Sequence, residues 1–182
     1  MGWSSCAQGG GPATRPASPT LIDIAGTARA PLDLGTAKAV VVIFISVDCP
    51  ISNGYAPEII RMCKDFEPKG ACFYLVHADP QLSDPDAKKH ADEYGYTCPV
   101  LVDRKHELVR RLGVKATPEA AIVNPAGEIL YRGRVDDLYA GLGRRRYEAT
   151  QHDLRDALSE VLAGRPVKTP RTVAVGCAIG EN

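Results

Sequence analysis

Apolar positions along this chain fall into short runs separated by polar segments of two different periods. The strongest run is Ala39–Ser46, AVVVIFIS, continuous and rich in β-branched residues, the pattern of a strand covered on both faces. Ala71–Ala78, with CFYLV at its centre, predicts a second buried strand, and Pro99–Val102 a short third. Between them, helices are predicted over Pro50–Asp65, with Pro50 in the first turn and Pro57 kinking the interior, and over Asp84–Tyr94, with Ala87, Ala91 and Tyr94 on one face. Glu107–Leu112 is a short helix stopped by Gly113. Ala120–Val123 and Glu128–Val135 are strands joined by Asn124-Pro125-Ala126-Gly127, turn chemistry for a hairpin. A Gly- and Arg-rich loop follows. Thr150 then caps a last helix with Asp153 as its capping-box partner, and Leu154, Leu158, Val161 and Leu162 form its apolar stripe.

The resulting order, β-α-β-α-β-α-β-β-α, is that of an α/β protein. Its parallel strands are covered by helices on both faces, and a final antiparallel hairpin completes a mixed sheet. Residues 1–19 read as a flexible leader rich in Gly, Ser, Ala and Pro, 20–164 as one domain, and 165–182 as a tail. Cys6 before such a leader has the look of a lipoprotein start whose signal was removed, which would place the protein at a bacterial envelope. An ordinary tail cysteine in a cytoplasmic protein is the other reading.

Charge narrows the function classes. Lys plus Arg and Asp plus Glu both number 22 in 182 residues, so no net field favours nucleic acid or an anionic membrane. The cluster Arg132, Arg134 and Arg144–Arg146 reads either as a docking patch or as a solvated loop balanced by Asp136 and Asp137. The six cysteines contain no CxxC, and His77, His90, His106 and His152 are scattered, so neither a metal nor a cofactor is called for.

In folds of this kind, reactive groups sit beyond the carboxyl ends of the parallel strands. Cys49 falls there, after the first buried strand and at the start of a helix. Unpaired backbone N–H groups and the positive end of the helix dipole favour its thiolate.

The segment Phe44-Ile45-Ser46-Val47-Asp48-Cys49-Pro50-Ile51-Ser52 resembles the thioredoxin active-site segment, with Cys49 at the attacking cysteine and Ser52 at the place of the second. Gly113-Val114-Lys115-Ala116-Thr117-Pro118 resembles the stretch that ends in that superfamily's cis-proline. The helix and strand at 84–103 resemble the inserted α-β unit of AhpC/TSA and TlpA-like redoxins, and Val175-Gly176-Cys177-Ala178-Ile179 resembles the Gly-Cys-x-Ile ending of peroxiredoxin-like members. The resemblance implies a thioredoxin fold and thiol redox chemistry. Thr117 and Pro118 would hold a partner strand, Glu119 would be a base near Cys49, and Cys177 would resolve a mixed disulfide by swinging in from a mobile tail.

Departures shape the choice of reaction. Ile43 stands where thioredoxins keep a buried aspartate. Ser46 can replace the peroxiredoxin threonine, but Val42 stands in place of its proline and Pro118 about where its arginine would be. The copper-carrying relatives' CxxxC is absent. Thiol–disulfide exchange with a protein disulfide, supported by an external thiol reductant, leads. A thiol peroxidase with Cys177 resolving and a redox-inert binding module are the alternatives. Cys98, before a strand leading toward the site, is a weaker resolving candidate, and Cys63 and Cys72 read as structural.

Overall fold

In the computed structural model, which describes residues 17–180, the chain opens with a small hairpin of β1 (Leu21–Ile22) and β2 (Ala28–Arg29). There follow β3 (Ala39–Ile45), α1 (Pro50–Gly54), α2 (Ala56–Phe66), β4 (Ala71–His77), α3 (Asp84–Tyr94), β5 (Val100–Val102) and α4 (Glu107–Leu112). The second half carries β6 (Ala116–Thr117), β7 (Glu119–Val123), β8 (Ile129–Gly133), β9 (Tyr139–Gly141), β10 (Arg144–Arg145), α5 (Asp153–Leu162) and β11 (Cys177–Ala178). Cys6 lies outside the described residues. Among the described residues no helix is long and apolar enough to cross a membrane.

The central sheet has the order β5-β4-β3-β7-β8; β3, β4 and β5 run parallel, and β7 and β8 complete it antiparallel. All seven residues of β3 are buried, as a run without polar alternation requires. Its odd-numbered residues, Ala39, Val41, Ile43 and Ile45, pack with Ile59, Met62 and Phe66 of α2 and Leu154 and Leu158 of α5. Its even-numbered residues, Val40, Val42 and Phe44, pack with Leu108 and Leu112 of α4 and with Leu32 and Leu34. This period of two divides the interior into two cores and leaves the end of β3 as the fixed platform for whatever follows it.

Four expectations change. The helix predicted over Pro50–Asp65 is two helices, broken at Tyr55. Proline cannot occupy a helix interior without losing a hydrogen bond and meeting the carbonyl four residues back, so the second helix restarts with Pro57 in its first turn. Thr150 does not cap α5, whose N-cap is His152 without a side-chain bond. Thr150 instead gives its N–H and hydroxyl to Asp137, at 2.6 and 2.7 Å. The leader is organised from Ser18, whose hydroxyl accepts the Leu32 N–H at 2.9 Å. The tail, finally, packs back on the domain. The Arg132 N–H donates to Pro170 O, Thr172 N–H donates to Arg132 O, and Thr172 Oγ1 meets Tyr131 Oη at 2.8 Å.

The basic cluster divides. Arg132 donates to the carbonyls of Leu112 and Gly113 and Arg134 pairs with Asp153 at 2.7 Å, whereas Arg144 and Arg145 are exposed on β10.

Candidate active site

Cys49 is the N-cap of α1, in extended conformation at the end of the β3 platform, with Pro50 as the first helical residue. Its sulfur accepts the Ser52 N–H at 3.4 Å, as a cap side chain should, and its thiol donates to the Thr117 carbonyl at 3.2 Å. The Thr117–Pro118 peptide is cis. The expected meeting of cysteine and prolyl peptide is therefore present, between residues 68 apart in the chain. Cys49 itself has no exposed surface.

What covers it is the tail. Cys177 stands opposite Thr117 in an antiparallel pair and Ala178 opposite Ala116. Ile179 N–H extends the pairing to Lys115 O at 2.9 Å, and Thr117 Oγ1 donates to Cys177 O at 3.5 Å. Gly176 lies so close that any Cβ there would collide with the Thr117 carbonyl. Cys177 therefore does not hang free, as a mobile tail implied; it pairs with the same Thr117 to whose carbonyl the Cys49 thiol donates.

The electrostatics follow from this arrangement. Burial opposes ionisation of Cys49, but hydrogen bonds from the Cys177 thiol and from the N–H groups of Ser52, Cys177 and Ile51 outweigh it and hold its pKa below the ordinary thiol value. Cys177 is the converse. Its hydrogen bond to Cys49, then burial, then the neighbouring sulfur's charge push it up to about 11. Of the two sulfurs, Cys49 is the one that ionises and Cys177 the one that keeps its proton.

Ser52, in the position of a second cysteine, is fully buried and accepts the Ser46 N–H at 3.1 Å, closing the loop between β3 and α1. Ser52→Ala should cost about 1–2 kcal/mol of stability by orphaning that N–H, measured by chemical denaturation. Ser46 lines a cavity of about 380 Å³ together with His77, Asp79, Thr117, Cys177 and Ile179.

The structure does not place Glu119 as a base at Cys49. Glu119 pairs with Phe44 across β3 and β7, so it projects to the Phe44 face, opposite the core that contains Cys49. Its carboxylate accepts the N–H groups of Lys115, at 2.7 Å, and Ala116, at 3.3 Å, and faces Arg132 at 3.6 Å. It shapes the turn that presents Thr117. Glu119→Gln should lower the melting temperature by a few degrees while leaving the pH midpoint of Cys49 alkylation in place.

Cys98 is likewise unavailable to Cys49, because it is bonded to Cys63. Glu67 lies within ligand distance of both sulfurs, but while they are bonded to each other neither offers a thiolate to a metal.

Sequence reasoning missed Asn53, which pins the active loop by donating to Val47 O at 2.8 Å and is itself held by His90 Nε2 at 2.9 Å. It also missed Tyr55, whose hydroxyl donates to Asp136 at 2.6 Å and fixes the break between the helices. Asn53 lies four residues beyond Cys49, one helical turn, and that spacing is the one signal that pointed to it.

The AhpC/TSA family model matches residues 21–132. The chain belongs to the AhpC/TSA family. Its fold is the thioredoxin fold, a central mixed sheet flanked by helices. This AhpC/TSA protein is 28% identical to an uncharacterised conserved protein of Geobacillus kaustophilus, covering 92% of this chain and 91% of that one with a TM-score of 0.77. An uncharacterised protein of Sinorhizobium meliloti 1021 is 26% identical over 91% and 92% of the two chains, with a TM-score of 0.79. Among curated proteins it is similar to the thiol-disulfide oxidoreductase ResA of Halalkalibacterium halodurans, 23% identical over 94 residues, 51% of this chain and 52% of that protein. The match thus spans about half the length of that relative.

Proposed function

We propose that this AhpC/TSA protein is a thiol–disulfide oxidoreductase whose redox couple is Cys49 and Cys177. The observation that supports it most is the convergence of both cysteines on Thr117: Cys177 pairs with it across β6 and β11, and the Cys49 thiol, whose sulfur accepts the Ser52 N–H, donates to its carbonyl. The resemblance to a thiol-disulfide oxidoreductase points the same way.

The steps balance. The Cys49 thiolate attacks one sulfur of a disulfide, the S–S bond breaks, and the leaving thiolate takes a proton from solvent. Cys177 then loses its proton and attacks the Cys49 sulfur of the mixed disulfide, forming the Cys49–Cys177 bond and releasing the second substrate thiol. The substrate gains two electrons and the protein loses two. An external dithiol restores the pair by the same exchange in reverse.

A second reading shares the couple. The Cys49 thiolate would attack a hydroperoxide, breaking its O–O bond, becoming sulfenic acid and releasing the alcohol or water; Cys177, which pairs with the same Thr117, would condense with it and release water. Family membership favours this reading.

Intact and peptide mass spectrometry on reduced protein tests both. One equivalent of a disulfide should yield the Cys49–Cys177 linkage; its absence with either oxidant would remove the proposed couple. The oxidant that forms the linkage faster at equal concentration identifies the reaction.

A further inference from the structure

The strand-accepting edge beside Cys49 is already filled. An extended polypeptide docks on such an edge by pairing its own backbone with the exposed N–H and C=O groups. Here Cys177 and Ala178 pair with Thr117 and Ala116, and Ile179 with Lys115. Gly176 lies against the cis-prolyl peptide with no room for a side chain.

The geometry points to the segment Val175–Ile179 as a specificity strap, one that turns extended polypeptide disulfides away from Cys49 and leaves it to small disulfides and other small oxidants. This rests on the exchange reaction proposed above and names its substrate class.

Two considerations carry it. The first is competition. The strap is anchored just upstream, where the Arg132 N–H donates to Pro170 O and the Thr172 N–H to Arg132 O. A strand on so short a tether acts at an effective concentration in the mM range. A free polypeptide at micromolar concentration meets that competitor for every backbone bond it would make. A small disulfide needs none of those bonds, only a line to sulfur.

The second is access. The paired segment is two residues of strand, which opens locally at low cost. The cavity of about 380 Å³ beside it is lined by Ser46, Thr117 and Cys177 and not by Cys49, so a small disulfide seated there reaches the sulfur when the strap opens.

The test uses the full chain and compares single-turnover oxidation of the reduced protein by insulin and by 2-hydroxyethyl disulfide. The readout is the ratio of the two rate constants per disulfide, so a change in Cys49 reactivity itself cancels. Two variants loosen the strap at different bonds: Gly176→Val forces it off the Thr117 carbonyl, and Ile179→Pro deletes the N–H that pairs with Lys115 O.

For the native chain, insulin should be at least tenfold slower than the small disulfide. In both variants the insulin-to-small ratio should rise about tenfold or more. A native chain that oxidises faster with insulin overturns the strap whatever the variants do. So does a ratio that stays within twofold in both variants while the small disulfide reacts normally. Failure of the native chain to react with either disulfide overturns the exchange reaction itself, and the strap with it.

Discussion

Cys49→Ser should lower disulfide exchange by three orders of magnitude or more, since it removes the attacking atom and leaves nothing at the end of β3 to replace it. Cys177 sits against the same site, but its proton is held up to about 11, so at neutral pH it is a poor substitute nucleophile. Cys177→Ala separates the two roles. It should still form a mixed disulfide at Cys49, and that species should accumulate, visible as added mass, because the second attack has lost its sulfur. The same variant should change the pH dependence. In the native protein the rate of Cys49 alkylation rises about tenfold per pH unit while the thiol is deprotonating, and it levels off at lower pH than for an ordinary thiol. Losing the Cys177 donor destabilises the thiolate, so the plateau should move to higher pH. A midpoint unchanged in Cys177→Ala, read from alkylation rates against pH, would show that the backbone N–H groups of Ser52, Ile51 and residue 177 suffice without the second thiol.

Among the side chains that act only through hydrogen bonds, the largest expected loss of stability is at Asp103. This residue has no exposed surface, and its carboxylate accepts three N–H groups at the start of α4: Glu107 at 2.8 Å, Leu108 at 2.8 Å and Val109 at 3.0 Å. Its own N–H donates to His77 O at the end of β4, so one side chain joins a helix start to the sheet. Asp103→Ala leaves three donors without their acceptor in a buried place. The cost should be about 3 kcal/mol, a fall in melting temperature of roughly 6–12 °C for a domain of this size. Asp103→Asn keeps one oxygen acceptor and should lose about half as much. Urea denaturation with an unchanged slope checks both.

The parts of this molecule legible in its sequence are those written in a repeating pattern. An uninterrupted β-branched run can only be a doubly covered strand, which is why β3 was found and with it the position of Cys49. The helices over Asp84–Tyr94 and Glu107–Leu112 carry their own stop signals, Gly95 and Gly113, both with left-handed backbone in the structure. Thr117–Pro118 was visible through the resemblance of Gly113–Pro118 to the stretch that ends in the superfamily's cis-proline. What stayed hidden was made by contacts with no period. A two-residue strand such as β11 has no alternation to detect, so the tail read as loose. The Cys63–Cys98 pair closes residues 35 apart, and nothing local marks such a meeting. Thr150 carried a capping signal, but Asp137 faces it with a carboxylate that takes two of its donors, and a charged acceptor outcompetes a neutral cap. Resemblance to TlpA-like redoxins put Glu119 near Cys49, whereas strand alternation turns it to the Phe44 face.

The bond between Cys63 and Cys98 gives the molecule two sulfur circuits that do not short to one another. Cys63 lies 14 residues beyond Cys49, in α2, past the break at Tyr55. Cys63 and Cys98 are both buried, with the Glu67 carboxylate at their edge. Electrons delivered to the couple at the sheet's rim therefore have no wire to the inner pair. The protein can cycle repeatedly at one end while the other remains insulated, a rivet closing its loop and contributing about 4 kcal/mol on a chain-entropy account.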